Sequence, residues 1–237
     1  MPNKTVKIND RWILYDPNLM PQAETELFCC QTMDEKGLIT GRADGRGETC
    51  FFRQGNKQWA LRHYMRGGLI GKVLHDQYLG LRLKKTRAWQ EWHLLSEMLT
   101  LDLPVPIPVA ASVIKSGIFY RADLITEYLD DTKTLSDLLE KNQLSDDLWK
   151  KVGAMVKQFH NASVFHSDLN ARNILIDDQN KMYLIDFDKC AFKKSDGWKK
   201  DNLERLKRSL LKFKSKNESF NYTDPNWKCF LAGYNTQ

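Results

Sequence analysis

The chain has 237 residues, 42% of them hydrophobic and 28% charged, the composition of a soluble globular protein that can bury a core without staples. No stretch approaches the roughly 18 apolar residues of a membrane span, and residues 1–16 lack the apolar centre of a signal peptide, so the protein is expected to stay where it is made. A net charge of +6 favours an acidic partner, whether nucleic acid, an anionic membrane surface or a phosphorylated substrate, and composition does not choose among them.

In chain order, the first half reads as short strands and turns. Gly37–Ile39 leads into the glycine-punctuated turn Gly41-Arg42-Ala43-Asp44-Gly45-Arg46-Gly47. Thr49–Arg53 and Gln58–His63 flank Gly55-Asn56, a hairpin signal. Leu83–Leu101 has helical spacing, with Trp89, Trp92 and Leu95 or Leu99 on one side, and is ended by Pro104, Pro106 and Pro108. Val109–Val113 and Ile118–Leu129 are further strands. After Asp130 the pattern turns helical. Thr134 or Ser136 can cap Leu135–Glu140, and Ser145 can cap a helix placing Leu148, Trp149, Val152, Met155, Val156 and Phe159 on one face. Ile174–Ile176 and Met182–Ile185 are apolar runs split by a polar turn. Asn202–Phe213 is a basic amphipathic helix with Leu203, Leu206, Leu210 and Phe213 on its apolar face. The expected fold class is therefore α+β in two lobes, with a boundary near 127–131. Cys29, Cys30, Cys50, Cys190 and Cys229 show no metal-like spacing, and their odd count predicts reduced thiols in a reducing cytosol.

Chemistry concentrates in His166-Ser167-Asp168-Leu169-Asn170-Ala171-Arg172-Asn173 and Tyr183-Leu184-Ile185-Asp186-Phe187-Asp188. The two apolar runs should pair as an antiparallel hairpin. That places Asn173, just before the first strand, beside Asp186, just after the second. An amide oxygen and a carboxylate converging there suit Mg²⁺, which takes one or two protein carboxylates plus substrate phosphates. Asp168, on the loop feeding the same end, can accept the proton of a hydroxyl attacking a γ-phosphate.

The pattern His166-x-Asp168-Leu169-x-x-x-Asn173, then Asp186-Phe187, resembles the catalytic loop and metal-binding motif of the protein-kinase-like superfamily. The resemblance implies a bilobal fold: an N-terminal antiparallel sheet lobe with one helix over 1–128, and a reduced, mostly helical lobe over 129–237. It implies Asp168 as catalytic base, Asn173 and Asp186 as Mg²⁺ ligands, and ATP as donor. Gly41, Gly45 and Gly47 would cover the phosphates, and Glu127 and Leu129 would flank the hinge that meets adenine. Arg62, in Trp59-Ala60-Leu61-Arg62, stands where these enzymes carry a phosphate-orienting lysine, with Glu91 as its expected partner and Glu97 the weaker choice. Ser167 replaces the arginine of phosphorylation-activated kinases, Asn170 stands at the usual lysine, and Asp188 replaces a glycine. No Ala-Pro-Glu segment follows, so a small-molecule or glycolipid acceptor is favoured over a protein.

Leu61-Arg62-His63-Tyr64-Met65-Arg66-Gly67-Gly68-Leu69, the catalytic loop, Leu184-Ile185-Asp186-Phe187-Asp188-Lys189, and Trp198 with Asn202-Leu203-x-Arg205-Leu206-x-Arg208-Ser209-Leu210 further resemble bacterial 3-deoxy-D-manno-octulosonic acid (Kdo) kinases. That resemblance implies phosphorylation of the 4-hydroxyl of Kdo on a lipid A precursor, in lipopolysaccharide synthesis at the cytoplasmic face of the inner membrane. Two basic clusters, one of Arg62, Arg66, Lys72, Arg82, Lys84, Lys85 and Arg87 and one on the 202–213 helix, would suit an anionic membrane. Nucleic acid is not expected as a partner, since no recognition signature accompanies these clusters. An aminoglycoside- or choline-type kinase, and a membrane-associated pseudokinase that binds membrane or nucleotide without turnover, are the alternatives.

Overall fold

A computed structural model describes residues 1–43, 49–65, 76–80 and 82–236. The chain divides into two units, Met1–Thr100 with Pro106–Tyr128 and Leu101–Val105 with Leu129–Gln237.

The first unit is built on one antiparallel sheet. Its strands are β1 (Lys4–Ile8), β2 (Arg11–Tyr15), β3 (Ile39–Ala43), β4 (Thr49–Gln54), β5 (Lys57–His63), β6 (Tyr78–Leu79), β7 (Pro108–Ser116) and β8 (Phe119–Glu127). They run in the order β1-β2-β7-β8-β5-β4-β3, with β6 pairing the start of β8. Gly55, at φ 59°, supplies the left-handed residue of the two-residue turn between β4 and β5, a conformation open to glycine at little cost. Strand alternation sends Trp59 and Leu61 to one face, where they pack with Phe52, Ile125 and the segment around α1 (Cys30–Glu35). Helix α2 (Arg87–Thr100) packs on β7 and β8 and buries Trp89, Trp92, Leu95 and Met98. The apolar pattern of β7 is buried on both sides over its first six residues, as a central strand requires.

The second unit starts with β9 (Thr132–Thr134) and α3 (Leu135–Lys141), capped by the Thr134 hydroxyl, which accepts from the Asp137 N–H. Ser145 caps α4 (Asp146–Asn161) in the same way through Leu148. Then come β10 (Val164–Phe165), β11 (Ile174–Asp177), β12 (Met182–Leu184), β13 (Ala191–Phe192), α5 (Trp198–Lys216) and α6 (Asp224–Asn235). β11 pairs antiparallel with β12 and with β9, and β10 with β13. Helices α4 and α6 pack at glycines: a Cβ on Gly153 would lie 2.0 Å from the Phe230 carbonyl oxygen, and one on Gly233 1.9 Å from that of Lys150. Backbones can approach this closely only where both side chains are missing.

Several expectations are corrected. Gly41 belongs to β3 rather than opening a turn. The helix expected over Leu83–Leu101 begins at Arg87, after a short 3-10 turn at Leu83–Lys85. α1, the β1–β2 hairpin and α6 were not expected. α6 escapes because its apolar stripe is incomplete, glycine marking the contact instead. The reduced-thiol expectation fails for two of the five cysteines: Cys30 and Cys50 pair as a disulfide, with Cα atoms 6.2 Å apart. They are twenty residues apart with no motif between them, so spacing carried no sign of the pairing.

Candidate active site

In the second unit, the segment between β10 and β11 is held by its own side chains. His166 is buried, and burial pushes its imidazole below its ordinary pKa, so the ring is neutral. Its Nε2 donates to the Ile185 carbonyl (3.0 Å), and its Nδ1 accepts from the Asp168 N–H (3.2 Å). One neutral ring thereby fixes both the loop carrying Asp168 and the strand end preceding Asp186. The Asp168 carbonyl accepts from the amides of both Asn170 and Asn173, each at 2.9 Å. Leu169 and Ala171 are buried beneath the loop. With its backbone fastened, Asp168 turns its side chain outward, where it is 51% exposed.

Hairpin register brings the next groups together. Ile174 pairs with Leu184, and the Ile185 N–H donates to the Asn173 carbonyl at 3.0 Å, so Asn173 and Asp186 stand at the same open end. Because Asn173 donates through Nδ2 to the loop, its Oδ1 remains as an acceptor. Asp186 has φ 64°, a left-handed conformation uncommon for a residue with a Cβ and frequent at functional turns. Phe187, buried against His166 and Phe159, anchors that turn. An amide oxygen and a carboxylate, both hard donors, fit Mg²⁺ better than a softer metal. Ser167 donates to the Asp188 carbonyl (2.7 Å), closing the loop onto the Asp-Phe-Asp turn with a neutral hydroxyl.

α5 braces this loop at three points spaced as one helical face. Asn202 exchanges hydrogen bonds with the His166 backbone, Ser209 accepts from the Ala171 N–H, and Arg205 holds Asp168. The Arg205 Nε and Nη2 reach the same Asp168 oxygen, Oδ1, at 3.1 and 2.7 Å. Sequence reasoning put Arg205 on a solvent-facing basic stripe and missed this contact. The sign available in the sequence was Asn202, a polar residue on the same helix stripe as Leu206 and Leu210; the structure buries all three.

In the first unit, alternation along β5 turns Arg62 away from Leu61, toward α2. There it is paired with Glu91, which is buried and also accepts from the Tyr64 hydroxyl at 2.6 Å. Burial drives the Tyr64 phenol well above its ordinary pKa, so it remains a donor. His63, between them, bonds buried Asp123 at 2.6 Å on the opposite face. Three consecutive residues are thus each tied to a buried carboxylate. Glu97 is exposed on α2. Gly41 lies on β3 with the Phe51 ring 3.3 Å from where a Cβ would be; Gly45 and Gly47 fall outside the described residues. Glu127 ends β8 with its N–H on the Ile107 carbonyl (2.8 Å) and its carboxyl pKa pushed up by burial, while Leu129 begins the longer segment of the second unit and its carbonyl accepts from the Thr132 hydroxyl. Of the expected basic cluster, Arg82, Lys84 and Lys85 are exposed, whereas Arg87 turns inward onto the Tyr64 and Tyr78 rings. Arg66 and Lys72 lie outside the described residues.

An antiparallel sheet unit whose strand arginine pairs with a helix carboxylate, and a helical unit with this loop and hairpin, make the protein one of the protein-kinase-like class. A model of the lipopolysaccharide kinase (Kdo/WaaP) family matches residues 31–234, and the chain belongs to that family. It is similar to proteins named 3-deoxy-D-manno-octulosonic acid kinase: 40% identical over 222 residues to that of Photobacterium profundum, covering 94% of each chain. The match to that of Vibrio vulnificus (strain CMCP6) is 40% over 225 residues, 95% of each. That of Vibrio cholerae serotype O1 (strain ATCC 39315 / El Tor Inaba N16961) is 45% identical over 186 residues, 78% of this chain and 79% of the relative.

Proposed function

We propose that the protein transfers the γ-phosphate of ATP to the 4-hydroxyl of a Kdo sugar carried on a lipid A precursor. Similarity along most of the chain to kinases of that named sugar acid supports the acceptor. The observation that carries the chemistry is Asp168, an outward-facing carboxylate on a backbone fastened from both sides. The acceptor hydroxyl gives its proton to Asp168 as its oxygen bonds the γ-phosphorus. The bond to the β,γ-bridging oxygen breaks and ADP leaves. Asn173 and Asp186 would hold Mg²⁺, which when bound offsets charge on the phosphates. Arg62, kept in place by Glu91 and Tyr64, takes the part of the phosphate-orienting lysine, as a planar fork instead of a point charge. By the same resemblance, Gly41 would lie toward the phosphates, and Glu127 and Leu129 toward the adenine.

No helix among the described residues is long and apolar enough to cross a membrane. Attachment to the cytoplasmic side of the inner membrane would be peripheral, through exposed Lys200, Arg208, Lys212 and Lys216 of α5 acting on anionic headgroups. The test is mass spectrometry of a Kdo-bearing lipid A precursor after incubation with the protein, ATP and magnesium. One added phosphate on Kdo, at the 4-position by NMR and lost with EDTA, is expected. Phosphate on another sugar, or none, contradicts the reading.

A further inference from the structure

Arg205 does more than steady the loop. Its guanidinium has two edges that each present a pair of parallel N–H donors, and the side-on edge, Nε with Nη2, is spent on Asp168 Oδ1. The end-on edge, formed by Nη1 and the second Nη2 hydrogen, makes no hydrogen bond among the described residues. Asp168 Oδ2 likewise has none. Both side chains are about half exposed, at 46% for Arg205 and 51% for Asp168, so a solute can reach these free faces.

We infer that Arg205 is the acceptor-specificity residue: its end-on edge binds the carboxylate of an acidic sugar while its side-on edge holds the base. The inference rests on Asp168 being the base in the function proposed above. An acidic acceptor creates a problem that a neutral one does not. Its hydroxyl must approach an anionic base, bringing a second carboxylate close to the first, and the two repel. A guanidinium shared between them converts that repulsion into two charge-assisted contacts, and its planarity sets one carboxylate at a fixed bearing from the other. Asp168 Oδ2 is then left to the hydroxyl.

The place of the residue supports this. Asn170 stands in the loop where a lysine is usual, and its side chain is occupied with the Asp168 carbonyl and the Arg172 N–H. The cation beside the base comes instead from α5, a separate element. Asn202 and Ser209 fix that element on either side of Arg205, so its guanidinium is placed by three loop contacts and not by its own flexible stem.

The experiment compares two acceptors, the Kdo-bearing lipid A precursor and the same molecule with the Kdo carboxylate converted to the carboxamide. Wild type should prefer the acid by about 10- to 100-fold in kcat/KM, the range of a hydrogen-bonded charge pair. In Arg205→Gln that preference should shrink to about twofold, mostly through the acceptor KM, and Arg205→Lys, charged but without the fork, should fall between. A lost brace on the loop would slow both acceptors equally and leave the ratio intact. A preference that survives in Arg205→Gln, or a loss equal for both acceptors and seen in the ATP KM, overturns the inference, the latter pointing to the γ-phosphate as the bound anion. If wild type phosphorylates neither acceptor, the proposed function itself fails and takes this with it. Transfer to the acid with an unchanged ratio in the variant sinks only the role of Arg205.

Discussion

Asn173 donates its side-chain amide to the backbone carbonyl of Asp168 at 2.9 Å, while its own backbone carbonyl accepts from Ile185 at 3.0 Å. One residue therefore spaces the loop of Asp168 from the strand end carrying Asp186. Asn173→Asp removes the donor and sets a carboxylate against a carbonyl. It should cost about 1–3 kcal/mol of stability, measured by urea unfolding, and cut transfer at saturating ATP far more than that loss alone explains. Asn173→Asp with wild-type stability and turnover would show that this bond positions nothing.

Glu91 is 4% exposed and holds both Arg62 and Tyr64. Glu91→Ala takes the carboxylate from the partly buried Arg62 and from Tyr64, and the fold should lose about 3 kcal/mol. Glu91→Gln, which keeps the shape and the Tyr64 contact, should lose less stability while raising the ATP KM. Initial-rate kinetics with varied ATP separate the two effects.

The α4–α6 crossing predicts a backbone effect at glycines that are not part of the Asp168 loop. Gly153→Ala places its methyl 2.0 Å from the Phe230 carbonyl oxygen, so the helices must part, at a cost of roughly 1–3 kcal/mol or more. Gly197→Ala, with nothing within 4 Å of its Cβ, is the control and should leave the thermal midpoint within experimental error. Equal midpoints for the two variants would contradict the close crossing.

His160 should make the second unit acid-sensitive. It is buried, with the Tyr234 hydroxyl at 2.8 Å, the Trp198 ring beside it, and Lys157 and Lys199 adding repulsion; burial is the main cause lowering its pKa from 6.5 to about 4. The fold keeps the ring neutral, whereas the unfolded chain protonates near 6.5. Its contribution is complete above that pH and declines as pH falls to about 4, a loss on the order of 3 kcal/mol. Unfolding free energies at pH 7 and 4.5 should differ less in His160→Gln than in wild type. An identical pH dependence would remove His160 as the cause.

The parts of this fold that were legible in the sequence are those whose signal is local. The Ile174–Ile176 and Met182–Ile185 runs, the Ser145 and Thr134 caps and the Gly55-Asn56 turn each depend on neighbours within a few residues. The Arg62–Glu91 contact could be read too, because strand alternation and helix period fix which way each faces. What escaped depends on groups far apart in sequence. The pairing of Cys30 with Cys50, the glycine contact of α4 with α6, and Arg205 on Asp168 across thirty-seven residues all arise only when elements pack. A basic residue on an amphipathic helix reads as solvated unless something shows that the face is covered. Here Asn202, in step with Leu206 and Leu210 along one stripe, was that sign.

Single-turnover phosphoryl transfer to Kdo-bearing lipid A precursor by Asp168→Ala, run beside its thermal unfolding, is the decisive test of Asp168 as the proton acceptor. The account predicts a fall of at least about 10³-fold, since both base and orienting carboxylate are gone, with the midpoint nearly unchanged because the Asp168–Arg205 pair is half exposed. Transfer within a fewfold of wild type by a folded Asp168→Ala protein would contradict it.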